Sequence, residues 1–318
     1  MSGAIMSDAE IVTSSSRLAD VIAGVPRRTC VALDIESNGF HRYPERICLF
    51  QLAVDGSVFL IDPTYDLDTR PLGKLLADVS VEKVFHSADY DLRSLDRDLG
   101  YQVKNLFDTS IAAAFVGSTS LGLSTVLREY LGVEVIKSKR QQRSDWTNRP
   151  LTSEARHYAA EDVRHLERAR DVLVGRLVGL SRLDWVEEEC ERLAQVKYLS
   201  PDRVWAFASI KGSRTLDARG LAVLRSLYQF RDREAVRLDR PPFKVIPDAV
   251  LLDLASNPGI DPAEIKGLGR YRNPSASGHL MGALSEGLRA SPVTRIKSPK
   301  RNNRHGALRG EHVKGLLR

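Results

Sequence analysis

Val31-Ala32-Leu33-Asp34-Ile35-Glu36 reads as a buried strand that carries two acids on one face. Side chains alternate along a strand, so Val31, Leu33 and Ile35 point one way while Ala32, Asp34 and Glu36 point the other. Two carboxylates about 4 Å apart repel by roughly 4 kcal/mol even at an effective dielectric of ~20, so an apolar strand accepts them only with compensation. Bound cations are the usual compensation. The bland alternative is an Asp and a Glu that end a strand near solvent.

Downstream, Gly39 and Pro44 mark Ser37 to Arg46 as a loop. Ile47 to Val54 and Val58 to Ile61 read as strands joined at Asp55-Gly56, a favoured hairpin dipeptide, so the sheet opens as an antiparallel meander. Helices are expected over Leu72 to Ala77, Asp89 to Leu99, Ser110 to Phe115 and Leu123 to Leu131, with short strands at Lys83 to His86 and Asn105 to Asp108. The fold class is α/β, a mixed sheet flanked by helices. Ile136 to Pro150 is a basic loop holding Lys137, Lys139, Arg140, Arg143 and Trp146; its bland reading is a solvated charge run. A long helix then starts near Leu151-Thr152, with Thr152 as N-cap, and continues through His157, Tyr158, Asp162 and Leu166. Leu183 to Gln195 reads as a further helix. Upstream, Met1 to Ser16 is a polar, Ser-rich leader, and Arg17 to Ala23 a short helix.

From Pro201 the pattern becomes all-helical. Val204 to Ile210, Leu216 to Ala235, Ala249 to Ala255 and Pro262 to Ile265 are separated by Gly212, Pro241-Pro242, Pro247 and Asn257-Pro258-Gly259. Core candidates are Trp205, Leu221, Leu224, Leu227, Phe243, Leu251 and Leu254. The expected divisions are a flexible leader (1–16), an α/β domain (17–195), a helical domain (200–288) and a basic disordered tail (291–318).

With 318 residues the chain is long enough for two cores, and 42% hydrophobic with 28% charged residues is ordinary for a globular protein. No apolar run approaches the ~20 residues of a membrane span, and no signal peptide is visible. Cys30, Cys48 and Cys190 are widely spaced, which suits packed, reduced thiols; the reading is cytoplasmic, with no membrane and no obligatory protein partner. The net charge of +6 is compatible with a polyanionic partner.

Two more acids lie where they can meet the first pair. Asp91 sits in the helix after the fourth strand, beside Leu92 and Leu95. Asp162 lies one turn after Tyr158, and residues at i and i+4 share a helical face. Asp89, Asp96 and Asp98 compete with Asp91 on these grounds. Asp108, before Thr109-Ser110, reads as a helix cap, and His86 as a structural hydrogen-bonding residue.

Val31 to Glu36, His86 to Leu92 (HSADYDL), Gln141 to Thr152 (QQRSDWTNRPLT) and Tyr158 to Asp162 (YAAED) resemble the exonuclease motifs of the ribonuclease D family, within the DEDD superfamily. The match spans about Thr29 to Ala169. Residues 201–284, with Trp205, Lys211-Gly212, Leu216, Leu224, Arg231, Ala235 and Pro242-Phe243, resemble the HRDC domain that follows the nuclease in that family. Some members carry two HRDC modules, whereas here a basic tail stands in place of the second. The resemblance implies a ribonuclease H-like fold and 3′-to-5′ exonucleolysis with two divalent cations, Mg²⁺ or Mn²⁺. It implies Asp34, Glu36, Asp91 and Asp162 as metal ligands, with Tyr158 completing the catalytic set. The family pattern of Asp followed by Leu-x-x-Leu selects Asp91.

The implied substrate is RNA with a single-stranded 3′ end, tRNA precursors above all. A DNA exonuclease and a non-catalytic nucleic-acid scaffold are the alternatives. Candidate contacts are Lys139, Arg143, Trp146 and Arg149 along the path of the 3′ end, Trp146 being equally suited to the core, and Lys211 and Arg231 in the helical domain. A related subgroup uses a His five residues before the last Asp, where His157 stands. On a helix, positions 157 and 162 are about 140° apart around the axis, whereas 158 and 162 nearly align, which favours Tyr158.

Overall fold

The structure is a computed structural model describing residues 9–293, apart from 136–137, 201, 203 and 262–263. The proposed tail from 294 onward and the first eight residues of the leader lie outside the described residues. The chain divides into two units, residues 9–38 with 46–198, and residues 39–45 with 199–293.

The first unit is built on six strands: β1 (Glu10–Val12), β2 (Cys30–Ser37), β3 (Ile47–Val54), β4 (Ser57–Ile61), β5 (Glu82–Phe85) and β6 (Leu106–Asp108). Their order is β1-β4-β3-β2-β5-β6. The β2, β3 and β4 strands form the antiparallel meander, while β5 and β6 add in parallel to β2. The hairpin forms where Asp55 (φ 49°) and Gly56 (φ 79°) both take left-handed backbone, which a two-residue type I′ turn requires. Around this mixed sheet run α1 (Ser15–Ala23), α2 (Arg70–Ala77), α3 (Asp89–Leu99), α4 (Thr109–Val116), α5 (Leu123–Leu131), α6 (Lys139–Gln142), α7 (Ser153–Arg164), α8 (Leu166–Gly179) and α9 (Leu183–Ala194). Val31, Leu33, Leu49, Leu60, Val84 and Leu92 belong to one buried core between these layers.

Three expectations are corrected. The stretch read as leader contributes β1, which pairs with β4, and Ser14, which caps α1; three residues at a sheet edge are too few to show a period. The long helix breaks at His165 into α7 and α8. The basic loop holds a helical turn, α6, whose start is capped by Ser138.

Burial first, then the charges of Asp55 and Asp171, raise the Glu167 carboxyl of α8 to about 7, with the N–H groups of Asp55 and Gly56 pulling it partly back. A folded state that prefers the neutral acid keeps its full stability below the ordinary value of 4.5 and loses it as pH rises through about 7. Glu167→Gln is therefore expected to raise the melting temperature by about 2–4 °C at pH 8 and to leave it unchanged at pH 4. Thermal scans at the two pH values check this.

The second unit is helical: α10 (Ala218–Leu238), α11 (Pro242–Val245), α12 (Asp248–Ser256) and α13 (Pro274–Arg289), with 3₁₀ turns at Ala206–Ser209, Ser213–Thr215 and Gly269–Arg272. The sequence reading assigns no helix to α13, a stretch that holds Gly278, Gly282 and Gly287. At Gly287 a Cβ would stand 2.6 Å from the Val223 Cα, so the missing side chain lets α13 close on α10. Phe243, expected in this core, is 50% exposed, while Ile246 and Tyr271 are buried. The helix expected over Pro262 to Ile265 lies partly outside the described residues.

Candidate active site

The site begins where β2 outruns its neighbour. Pairing with β5 covers only Cys30 to Ala32, whereas pairing with β3 continues to Ser37. From Asp34 onward β2 therefore has one unpaired edge. Asp91, near the start of α3, fills that edge and takes a hydrogen bond from the Ile35 N–H. The turn that delivers it is held from behind by Asp108, which accepts from the N–H groups of Ser87 and Ala88 at 3.1 and 2.8 Å and from Ser110 at the start of α4. Asp108 caps α4, as its sequence context suggests. Its hold on the Ser87-Ala88 turn was not legible locally, because 20 residues separate the partners.

Asp91 is 6% exposed. Burial, and then the negative charge of Asp34, raise its carboxyl well above the usual carboxylate range. Tyr158 of α7 is raised in turn by burial and by Asp162, Glu36 and Asp34, and it hydrogen-bonds the Asp162 carboxylate one turn on. Asp34 of β2 thus acts both on Asp91 of α3 and, with Glu36 and Asp162, on Tyr158 of α7. His157 is exposed.

The competing acids are engaged elsewhere. Asp89 pairs with Arg93 at 2.9 Å. Asp96 accepts from Lys197 and the Tyr198 N–H, and Asp98 from Arg97 and the Ile47 N–H. His86 Nδ1 bonds Thr109 at 2.9 Å, a structural contact as expected.

A family model described as 3′-5′ exonuclease matches residues 9–177, and an HRDC domain model matches residues 220–273. Ribonuclease D of Desulfotalea psychrophila is 31% identical over 263 residues, covering 82% of this chain and 70% of its own. That of Granulibacter bethesdensis is 32% identical over 314 residues, 97% and 78% of the two chains. The chain belongs to the ribonuclease D family. Among solved structures, Escherichia coli RNase D, an exoribonuclease involved in structured RNA processing, superposes with a TM-score of 0.71 at 26% identity, covering 98% of this chain and 84% of that one. The catalytic core of RRP6 from Trypanosoma brucei shares the fold, with a TM-score of 0.74 at 24% identity.

As a ribonuclease D-family enzyme the protein is a 3′-to-5′ exoribonuclease with a ribonuclease H-like sheet and a C-terminal HRDC domain. Divalent-metal dependence is the family-level expectation. Among the described residues no group of three or more His, Cys, Asp and Glu side chains is placed so that it could hold a metal ion. The donor set nonetheless fits a hard cation: every donor is a carboxylate oxygen, and Asp91 is buried against the charge of Asp34.

The candidate RNA contacts divide sharply. Arg149 spends all five N–H groups inside the protein, on Asp62, Cys48 O, Trp146 O and Asn148 O. Asp62 is 1% exposed, so Arg149 is a structural clamp that neutralises a buried acid. Arg149→Ala would strand that carboxylate, at a cost of about 3–5 kcal/mol; chemical denaturation of the variant reads it. Trp146 is buried, its ring 6.1 Å from that of Tyr158. Arg231 is likewise buried, bonded to Ile246 O and Asp248. Arg149 and Arg231 thus spend donors on partners distant in sequence, and the Trp146 ring packs inside the protein. Lys139, Arg143 and Lys211 are exposed. Arg143 lines a cleft of about 370 Å³, with Arg140, Gln141, Trp146 and Leu151.

Proposed function

We propose that Asp34, Glu36, Asp91 and Asp162 hold two divalent cations, Mg²⁺ or Mn²⁺, and that the enzyme trims single-stranded 3′ ends of tRNA precursors, releasing nucleoside 5′-monophosphates. The observation that carries this reading is the position of Asp34, which acts on the buried Asp91 on one side and, with Glu36 and Asp162, on Tyr158 on the other. Bound there, the cations supply Lewis acidity to the scissile phosphate and neutralise charge on the departing 3′ oxygen.

The remaining roles belong to the chain itself. A phenol ionises near pH 10, so Tyr158 is a poor base and serves to orient the attacking water through its hydroxyl. Asp108 keeps Asp91 at the free edge of β2 by fixing the turn before α3. The cleft beside Trp146 leads the RNA end, with Lys139 and Arg143 following phosphates. Lys211 offers a further phosphate contact in the helical unit.

Three free thiols, two of them buried, support a reducing compartment, the cytosol. Among the described residues no helix is long and apolar enough to cross a membrane.

Incubating a tRNA with an extended 3′ tail with Mg²⁺, Mn²⁺ or chelator, with products resolved at one nucleotide, tests the substrate assignment. A ladder of single-nucleotide losses that stops near the mature end, and that chelator abolishes, is expected. Equal trimming of a matched DNA oligomer, or indifference to the tRNA body, would overturn it.

A further inference from the structure

The β3 strand carries one side chain that packing does not explain. Gln51 is the single polar residue of Ile47–Val54, it is 0% exposed, and neither Nε2 nor Oε1 has a hydrogen-bond partner. A primary amide buried in this way costs free energy that a leucine or methionine in the same space would not. Core packing alone therefore selects against it.

Register says where the amide can act. Gln51 stands directly opposite Asp34, and opposed residues of an antiparallel pair share a face with Cβ atoms about 4.5–5.5 Å apart. That face is the one from which Asp34 and Glu36 act on Tyr158 of α7. With no exposed surface, Gln51 does not touch RNA directly, so its effect must pass through a neighbour. By register, that neighbour is Asp34.

We propose that Gln51 is a positioning residue: when the divalent cations bind, its amide N–H, unpartnered without them, donates to one oxygen of the Asp34 carboxylate and leaves the other to the cations. The inference rests on the reading of the four acids given above. A carboxylate has two oxygens and a rotatable Cβ–Cγ bond, so a hydrogen bond to one oxygen fixes the direction of the other. Such outer partners typically change metal affinity by about 10–100-fold when removed.

The test uses the full chain and Mn²⁺ itself as probe, in wild type, Gln51→Leu and Gln51→Met. Mn²⁺ affinity is measured by loss of the free-ion electron paramagnetic resonance signal, and melting temperature in chelator. The expected result has opposite signs: both variants melt higher than wild type without metal, yet bind Mn²⁺ about 10–100-fold more weakly. With Mn²⁺ held constant, kcat falls while KM for a single-stranded RNA is unchanged, because the amide does not reach the RNA. The methionine variant, unbranched like glutamine, guards against misfolding of the leucine one. A lower melting temperature with unchanged Mn²⁺ affinity would show a purely structural amide and overturn the proposal. Wild-type protein that binds no Mn²⁺ would overturn the reading of the acids as well, which separates the two failures.

Discussion

Tyr158→Phe is expected to lower turnover of a single-stranded RNA by about 100-fold or more, the scale of a lost positioned proton donor, while His157→Ala stays within about twofold of wild type. The two residues are adjacent in sequence yet differ in everything that matters for chemistry. Tyr158 faces the acids: Asp162, Glu36 and Asp34 all act on its phenol, and its hydroxyl bonds Asp162. His157 is exposed on another face of α7. The substitution at 158 removes one oxygen and keeps the ring that packs 6.1 Å from Trp146, so folding should survive it. Single-turnover rates at saturating enzyme, with melting temperature as control, decide the matter. The opposite ranking would give His157 the catalytic role and move the chain to the His subgroup.

Asp91→Asn should separate stability from activity just as clearly. Asp91 is a buried carboxyl next to the charge of Asp34. Asparagine has nearly the same shape and can still accept from the Ile35 N–H, but it carries no charge to be repelled. In chelator the variant is expected to melt about 2–4 °C above wild type. Turnover in Mg²⁺ should nevertheless fall by more than about 100-fold, beyond the loss typical of an outer metal partner. Added Mg²⁺ should raise the melting temperature of wild type, since a ligand that binds only the folded state stabilises it, and should fail to raise that of the variant. A variant that melts lower in chelator, or keeps its activity, would remove Asp91 from the site.

Local chemistry made much of the first unit readable in the sequence. The Asp55-Gly56 turn, the leucine stripe of α3 and the Thr152 cap of α7 each depend on a few neighbouring residues, and each stands where expected. Elements that depend on remote partners did not declare themselves. The β1 strand is three residues long and exists because β4, nearly fifty residues later, offers its edge. The α13 helix went unassigned in the sequence, and the need for glycine at 287 shows only once Val223 is seen beside it.

The candidate site shows the same division. Periods of two and four put Asp34 with Glu36 and Tyr158 with Asp162 on shared faces, while their place in a site came from the family resemblance. Asp91 could not be separated from Asp89, Asp96 and Asp98 by pattern alone; the ion pair of Asp89 with Arg93 is a local signal, but the partners of Asp96 come from residues 197 and 198. Positive charge is likewise visible in sequence while its purpose is not. Arg149 and Arg231 look like nucleic-acid contacts until Asp62 and Asp248 are found against them.

The most direct measurement is the stoichiometry of Mn²⁺ binding, by isothermal titration of the full chain in the presence of a short, uncleavable RNA. Two ions per wild-type chain are expected, with both lost or greatly weakened in Asp34→Asn and in Asp91→Asn. Binding of fewer than one ion, or stoichiometry that survives both substitutions, would contradict the assembly of the four acids into a two-cation centre.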